Sequence, residues 1–210
     1  MNTKITFNFY VNSNTIREMV LDLTGLSRQV FEISLNSSLI TDELYTQSEK
    51  HKSYGVYSEK INNISSGLNA TCRTMVLLAT KMMETSLEST KYTERLELLR
   101  LSLDMIENVD NVRAVEKAVQ VLAERIAPQV DCLEETIREV LNHLENFEQS
   151  LKKLWLLSNN MKAHVEKEEV LSLNTIIRKI EYVLDNAGGN VHRLHASLRM
   201  LRNQLNEDGV

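Results

Sequence analysis

Proline occurs once in the 210 residues, at Pro128, and glycine six times. So few breakers exclude a chain of tight turns and short strands and leave helix as the dominant content. Two cysteines, Cys72 and Cys132, are too few for a disulfide scaffold and form no Cys-x-x-Cys pair. Both fall within helical patterns and read as small buried thiols. The longest apolar run, Met75–Ala79, is far short of the ~18 residues that a membrane-crossing helix needs. Met1–Tyr10 lacks the apolar stretch and small-residue cleavage site of a secretory signal. The sequons at Asn36, Asn63 and Asn69 therefore carry no weight. The expected location is cytoplasmic, with export by a leaderless route left open. A formal charge of −5 excludes the strongly basic balance of a general nucleic-acid binder.

The spacings that carry chemistry are missing as well. None of His51, His143, His164, His192 and His195 follows a glutamate by three positions, so the Glu-x-x-His units of di-iron bundles do not occur. There is no His-Glu-x-x-His, phosphate loop or dinucleotide fingerprint. His192 and His195 lie three apart, but no cysteine or third histidine is near them in sequence, so a pair of polar surface positions is the preferred reading. A non-enzymatic protein with no cofactor and no metal is expected.

What the chain has is periodicity. Met19, Leu26, Ile33, Ile40, Gln47, Tyr54, Ile61, Leu68, Met75 and Met82 recur every seventh residue, and only Gln47 is polar. Four positions after each lies a companion row, apolar at its ends and small or polar in the middle: Leu23, Val30, Ser37, Leu44, His51, Ser58, Ser65, Cys72, Ala79 and Ser86. A strict seven-residue repeat is the pattern of helices wound along a partner. One uninterrupted helix over Met19–Met82 would measure about 95 Å. A second run, Val130, Leu133, Ile137, Val140, Leu144, Phe147, Leu151 and Leu154, alternates three and four apart and extends to Met161 and Val165. After the charged interval Glu166–Glu169 the row resumes one residue out of phase, from Leu173 to Leu205.

Taken in order, Ile5, Phe7, Phe9 and Val11 alternate with polar residues and Tyr10, which predicts a short strand that pairs or docks. Thr15-Ile16-Arg17-Glu18 has the spacing of a capping box and predicts the start of the first long helix. Near Gly55 the seam is weakest, because Gln47 and His51 occupy positions where apolar residues are expected. Because the phase survives, a continuous helix with a register-fixing polar layer of Gln47 and His51 is preferred to a turn. The stretch Ser89–Thr93 is polar, and Ala127-Pro128 predicts a helix end. Asp185–Asn190 carries turn chemistry, but the stripe keeps phase across Gly188 and Gly189, which favours a bent continuous helix.

The expected fold is therefore all-α: an elongated antiparallel coiled coil or helical bundle with two long arms. Residues 1–13 form an N-terminal strand, 14–90 the first arm, 91–128 a short-helix head, and 129–207 the second arm, all but the strand in one domain. Apolar residues flanking the rows, among them Leu77, Leu98, Leu101 and Trp155, widen the stripes beyond a two-helix seam. A four-helix cross-section, within one chain or by dimerisation, satisfies them. The seam residues expected at helix interfaces are Leu26, Ile33, Ile40, Ile61, Leu68, Met75, Leu144, Leu151, Leu194, Leu198 and Leu201. Thirteen acids against six bases lie between Glu94 and Glu148, whereas Leu173–Arg202 is net basic. Charges so divided orient an assembly.

Arg73–Ser86 has a hydrophobic profile that looks like the tip of bacterial chemoreceptor signalling helices. It departs from that pattern at Lys81, Met82 and Met83, and no Gly-rich turn or returning helix pattern follows. The resemblance covers some fourteen residues by profile and implies a signalling rod as one alternative. The first expectation is a scaffold, adaptor or assembly subunit that works by self-association or by binding other helical proteins. A membrane-active, pore-forming-type helical protein, suggested by the Met-rich patch Met75–Met83, ranks second.

Overall fold

The computed structural model describes residues 3–47, 53–103, 105–106, 109–168 and 171–208. They form four helices: α1 Thr3–Gln47, α2 Ser53–Leu103, α3 Val109–Glu168 and α4 Leu171–Asp208. The chain is an all-α helical bundle, and no strand occurs among the described residues.

The helix limits differ from the expected ones in physically informative ways. The predicted strand is the first part of α1. Phe9 is buried on the same face as Ser13 and Ile16, while Phe7 and Val11 face water; the side chain of Ile5 lies outside the described residues. A helical face at three-and-four spacing has outcompeted a local alternation that a lone strand could not have satisfied at its edges. The Thr15 hydroxyl is no cap but donates to the Val11 carbonyl one turn back. The first arm is two helices and not one, with the change of direction falling between Gln47 and Ser53. The second arm likewise divides between Glu168 and Leu171, whereas α4 runs unbroken through Gly188 and Gly189. No head of short helices replaces the arms over 91–128: α2 continues to Leu103 and α3 begins at Val109.

Ser89–Thr93 does not break α2, and its two threonine hydroxyls are satisfied inside the helix. Thr90 donates to the Ser86 carbonyl and Thr93 to the Ser89 carbonyl, both at 2.9 Å. Pro128 sits inside α3 and is exposed, as is Glu124, whose carbonyl loses its helical partner to the proline ring. Water can solvate that carbonyl, so the helix passes through.

Contacts divide the chain into two compact units, each made from a piece of every helix. One comprises Met1–Glu18, Leu77–Leu141 and Ala196–Val210; the other comprises Met19–Val76 and Asn142–His195. In the second unit, Ser34 donates to Asn62 and Ser38 meets Ser58, so α1 and α2 run antiparallel. Tyr57 touches His164 edge-on, which sets α2 against α3. Lys162 pairs with Glu181 and His195 with Glu148, so α3 and α4 are antiparallel too. The first unit repeats the scheme, with Ser13 on Ser86, Asn12 donating to Gln204, and Gln129 donating to Glu88. Each unit is thus a four-helix section within one chain.

Along most of the helices burial follows the seven-residue rule. In α2 the buried positions Tyr54, Ser58, Ile61, Ser65, Leu68, Cys72, Met75, Ala79, Met82 and Ser86 step by four and three. Leu133, Ile137, Val140, Leu144 and Phe147 in α3, and Leu173, Ile177 and Ile180 in α4, keep the same step. Each large side chain so placed contributes roughly 1.5–3 kcal/mol relative to exposure.

Proline in a helix interior costs about 3 kcal/mol relative to alanine, and Pro128 is exposed. Pro128→Ala is therefore expected to raise the unfolding free energy by about 1–3 kcal/mol in urea denaturation, with unchanged helicity. An unaltered or lowered midpoint would show that Pro128 makes contacts that offset its cost to the helix.

Candidate interaction site

The covered seam stops abruptly at one place. Among the described residues from Glu97 to Cys132 none is buried, although Leu98, Leu99, Leu101, Leu103, Val112, Val115, Val119, Val121, Leu122 and Ile126 lie in this interval. The register of the first unit explains why. Pairing of Ser13 with Ser86 brings Thr3, the start of α1, level with Leu96. Pairing of Asn12 with Gln204 makes α4 end at Asp208, level with Asn8. Beyond Leu96 and its α3 counterpart, α2 and α3 have only each other. Val112, Val115 and Val119 lie beyond that level and continue the α3 stripe; they are half-buried, as are Leu122 and Ile126, which lie level with Arg95 and Lys91.

On another side of the same helix pair lies a groove of about 800 Å³. Leu99, Ala114, Ala118 and Leu122 line it with Leu98, 67% exposed, and Val121, 43% exposed. Arg95, Lys117 and Arg125 stand around it, and no carboxylate is among its lining residues. The Arg125 guanidinium lies 6.0 Å from the centre of the Tyr92 ring, which fixes its position. A stretch of helix pair that is apolar on two sides is what a protein keeps for a partner.

The second unit has two further clefts. One, of about 470 Å³, runs between α2 and α3 past Lys60, Gly67, Lys153 and Leu156. The other, of about 810 Å³, lies between α1 and α4, where Gly25 and Gly189 leave space beside Asp22, Tyr182, Asp185 and His192. A side chain added at either glycine would meet nothing within 4 Å, so these residues open the cleft and are not forced by close packing. Phe31, Leu35 and Leu39 form an exposed stripe on α1.

The sequence-predicted seam residues are distributed simply. Leu26, Ile33, Ile61, Leu68, Met75, Leu144, Leu194, Leu198 and Leu201 are buried, and Ile40 and Leu151 are half-buried. All take part in the packing of this chain's own helices. Gln47 ends α1, but its side chain lies outside the described residues, as does His51, so the polar layer has no structural description. His192 and His195 do not converge: His192 is exposed beside the α1–α4 cleft, and the His195 Nε2 donates to Glu148 at 3.1 Å. Among the described residues no three His, Cys, Asp or Glu side chains gather as metal ligands. No described helix is long and apolar enough to cross a membrane. Arg73–Ser86 lies within the uninterrupted α2 and makes no turn. The cation-rimmed groove was not assigned from sequence. Its signal was Leu98 and Val121, both off the main stripe, flanked by Arg95 and Lys117.

No protein-family model, curated protein or solved structure matches the chain.

Cys72 is fully buried, its thiol directed to the Leu23 carbonyl at 3.6 Å. Burial raises its pKa from the ordinary 9.0 to about 11, an effect offset in part by the Ser27 and Thr24 hydroxyls. The folded state therefore favours the neutral thiol. Its contribution is complete below pH 9 and is lost as pH rises towards 11. Between those limits wild-type protein should lose more stability in urea than Cys72→Ala, and equal losses would contradict the assignment. Thiol reagents should label half-buried Cys132 well before Cys72 in the native state.

Proposed function

We propose that this chain is a non-enzymatic interaction protein, a scaffold, adaptor or assembly subunit, that acts by self-association through the uncovered part of α2 and α3. The observation that carries this reading is the absence of any buried residue among the described residues between Glu97 and Cys132, on helices that carry an apolar stripe there. Elsewhere in its unit the same face lies under α1 and α4, which end too soon to cover it. A second copy supplies what is missing. Two such helix pairs laid face to face rebuild a four-helix cross-section, the packing that the rest of the unit already uses.

This reading shifts the interaction surface away from the long seams. Their large residues are consumed inside the chain, so association falls to Val112, Val115 and Val119, which α2 alone only half covers. The membrane-active and chemoreceptor-like readings gain no specific support from the site.

The test is the mass of the purified protein. Light scattering after size exclusion is expected to give twice the chain mass at micromolar concentration. Val115→Glu with Val119→Glu should give the single-chain mass with helicity retained, because both positions are already partly in water. A wild-type chain that remains monomeric up to ~100 μM, where even a weak specific dimer would form, would remove the proposal.

A further inference from the structure

The cation-rimmed groove between α2 and α3 in the first unit flanks the stripe proposed for self-association, with Leu122 at the border and Val115 and Val119 outside its lining. The geometry points to a docking site there for an amphipathic helix of a partner protein, with carboxylates flanking its apolar stripe. The inference rests on reading this helix pair as a partner-binding segment, but it concerns a separate side of it.

Three features select this occupant. The first is shape. Ala114 and Ala118, one turn apart on α3, give the groove a low floor, with the exposed Leu98 and Val121 beside them. A furrow along two helices about 800 Å³ in volume accepts the ridge of a third helix. The second is charge. Arg95, Lys117 and Arg125 stand around the furrow with no carboxylate among them, in a chain whose formal charge is −5. Among the described residues none of the three forms a salt bridge, and Arg125 is held by Tyr92. Aligned cations beside an apolar floor complement acids beside an apolar stripe. The third is what the same cations disfavour. A second copy docked groove to groove would set three cations against three.

The probes are two synthetic fluorescent peptides of eighteen residues with one leucine stripe. One carries glutamates on both flanks of the stripe, the other lysines. Binding to the full-length chain is read by fluorescence anisotropy. The glutamate peptide is expected to bind at least tenfold more tightly than the lysine peptide, the sum of three exposed ion pairs. Arg95→Glu with Lys117→Glu should reverse that order, and 0.5 M salt should erase it. Leu98→Ser with Val121→Ser should weaken both peptides. Equal binding of the two peptides, no response to charge reversal, or no binding of either would overturn the inference. Light scattering on the same charge-reversed chain separates the two proposals. Its self-association should be intact, because Val115 and Val119 are untouched, so loss of peptide selectivity and loss of the dimer are independent failures. Vesicles of anionic lipid serve as the remaining arm, and stronger capture by vesicles than by the glutamate peptide would also overturn it.

Discussion

A helix that buries one side chain every three and then four residues presents a continuous face along its whole length, and that face must meet other helices. Here four such helices follow one another and reverse direction each time, so each face finds the others within the same chain. Where all four helices are present, the seam is dry. Where α1 and α4 run out, the seam persists in sequence but loses its cover. The most open stretch of apolar helix in the molecule thus follows from helix lengths and needs no special motif.

The two hairpins of the bundle are not equivalent. The α1–α2 interface is built from small polar residues: Ser13 on Ser86, Ser38 on Ser58, Ser34 beside Asn62, and the Cys72 thiol on the Leu23 carbonyl. The buried rows of α3 and α4 are large and apolar, with Thr136, Ser158 and Ala187 as the small exceptions. A serine in a seam position forgoes roughly 1.5–3 kcal/mol of burial that a leucine would supply. It also costs more where the hydroxyl lacks a partner, as at Ser37, Ser65 and Ser89. Large rows on α2, including Ile61, Leu68, Met75 and Met82, compensate by packing inward. Much of the hydrophobic drive therefore comes from α3 and α4, and small residues let α1 and α2 approach each other closely.

The helical class, the seven-residue burial and the four-helix cross-section were legible in the sequence because side-chain periodicity reports directly on which face is dry. Chain direction was not. Leu44, Gln47, His51 and Tyr54 keep the three-and-four step across the reversal, so a turn between Gln47 and Ser53 leaves no mark on the pattern. Periodicity describes a helix face and is silent about which way the next helix runs. Polar stretches misled for a related reason. Ser89–Thr93 looks like a break until the hydroxyls of Thr90 and Thr93 are seen to bond back to the preceding turn, and Pro128 looks like a stop until its exposure is known. The groove was the least legible feature. Its residues are separated in sequence by the passage from α2 to α3, and only the register of the two helices brings Arg95 and Arg125 to one furrow.

Charge completes the same logic. In sequence the acids of α3 and the bases of α4 suggested attraction between neighbouring molecules. In the second unit α3 and α4 instead meet in both senses: Glu148 of α3 accepts from His195 of α4, and Lys162 of α3 pairs with Glu181 of α4. Ion pairs this exposed add little stability, yet they align α3 with α4 and remove those groups from the set available to a partner. Arg95, Lys117 and Arg125 form no such pair among the described residues, and they gather where the apolar cover is missing. On the helix pair that outruns its neighbours, unpaired cations and uncovered apolar surface lie side by side. A chain whose long faces are filled from within can recruit others only there, or through side chains such as Phe31, Leu35 and Leu39 that point away from every seam.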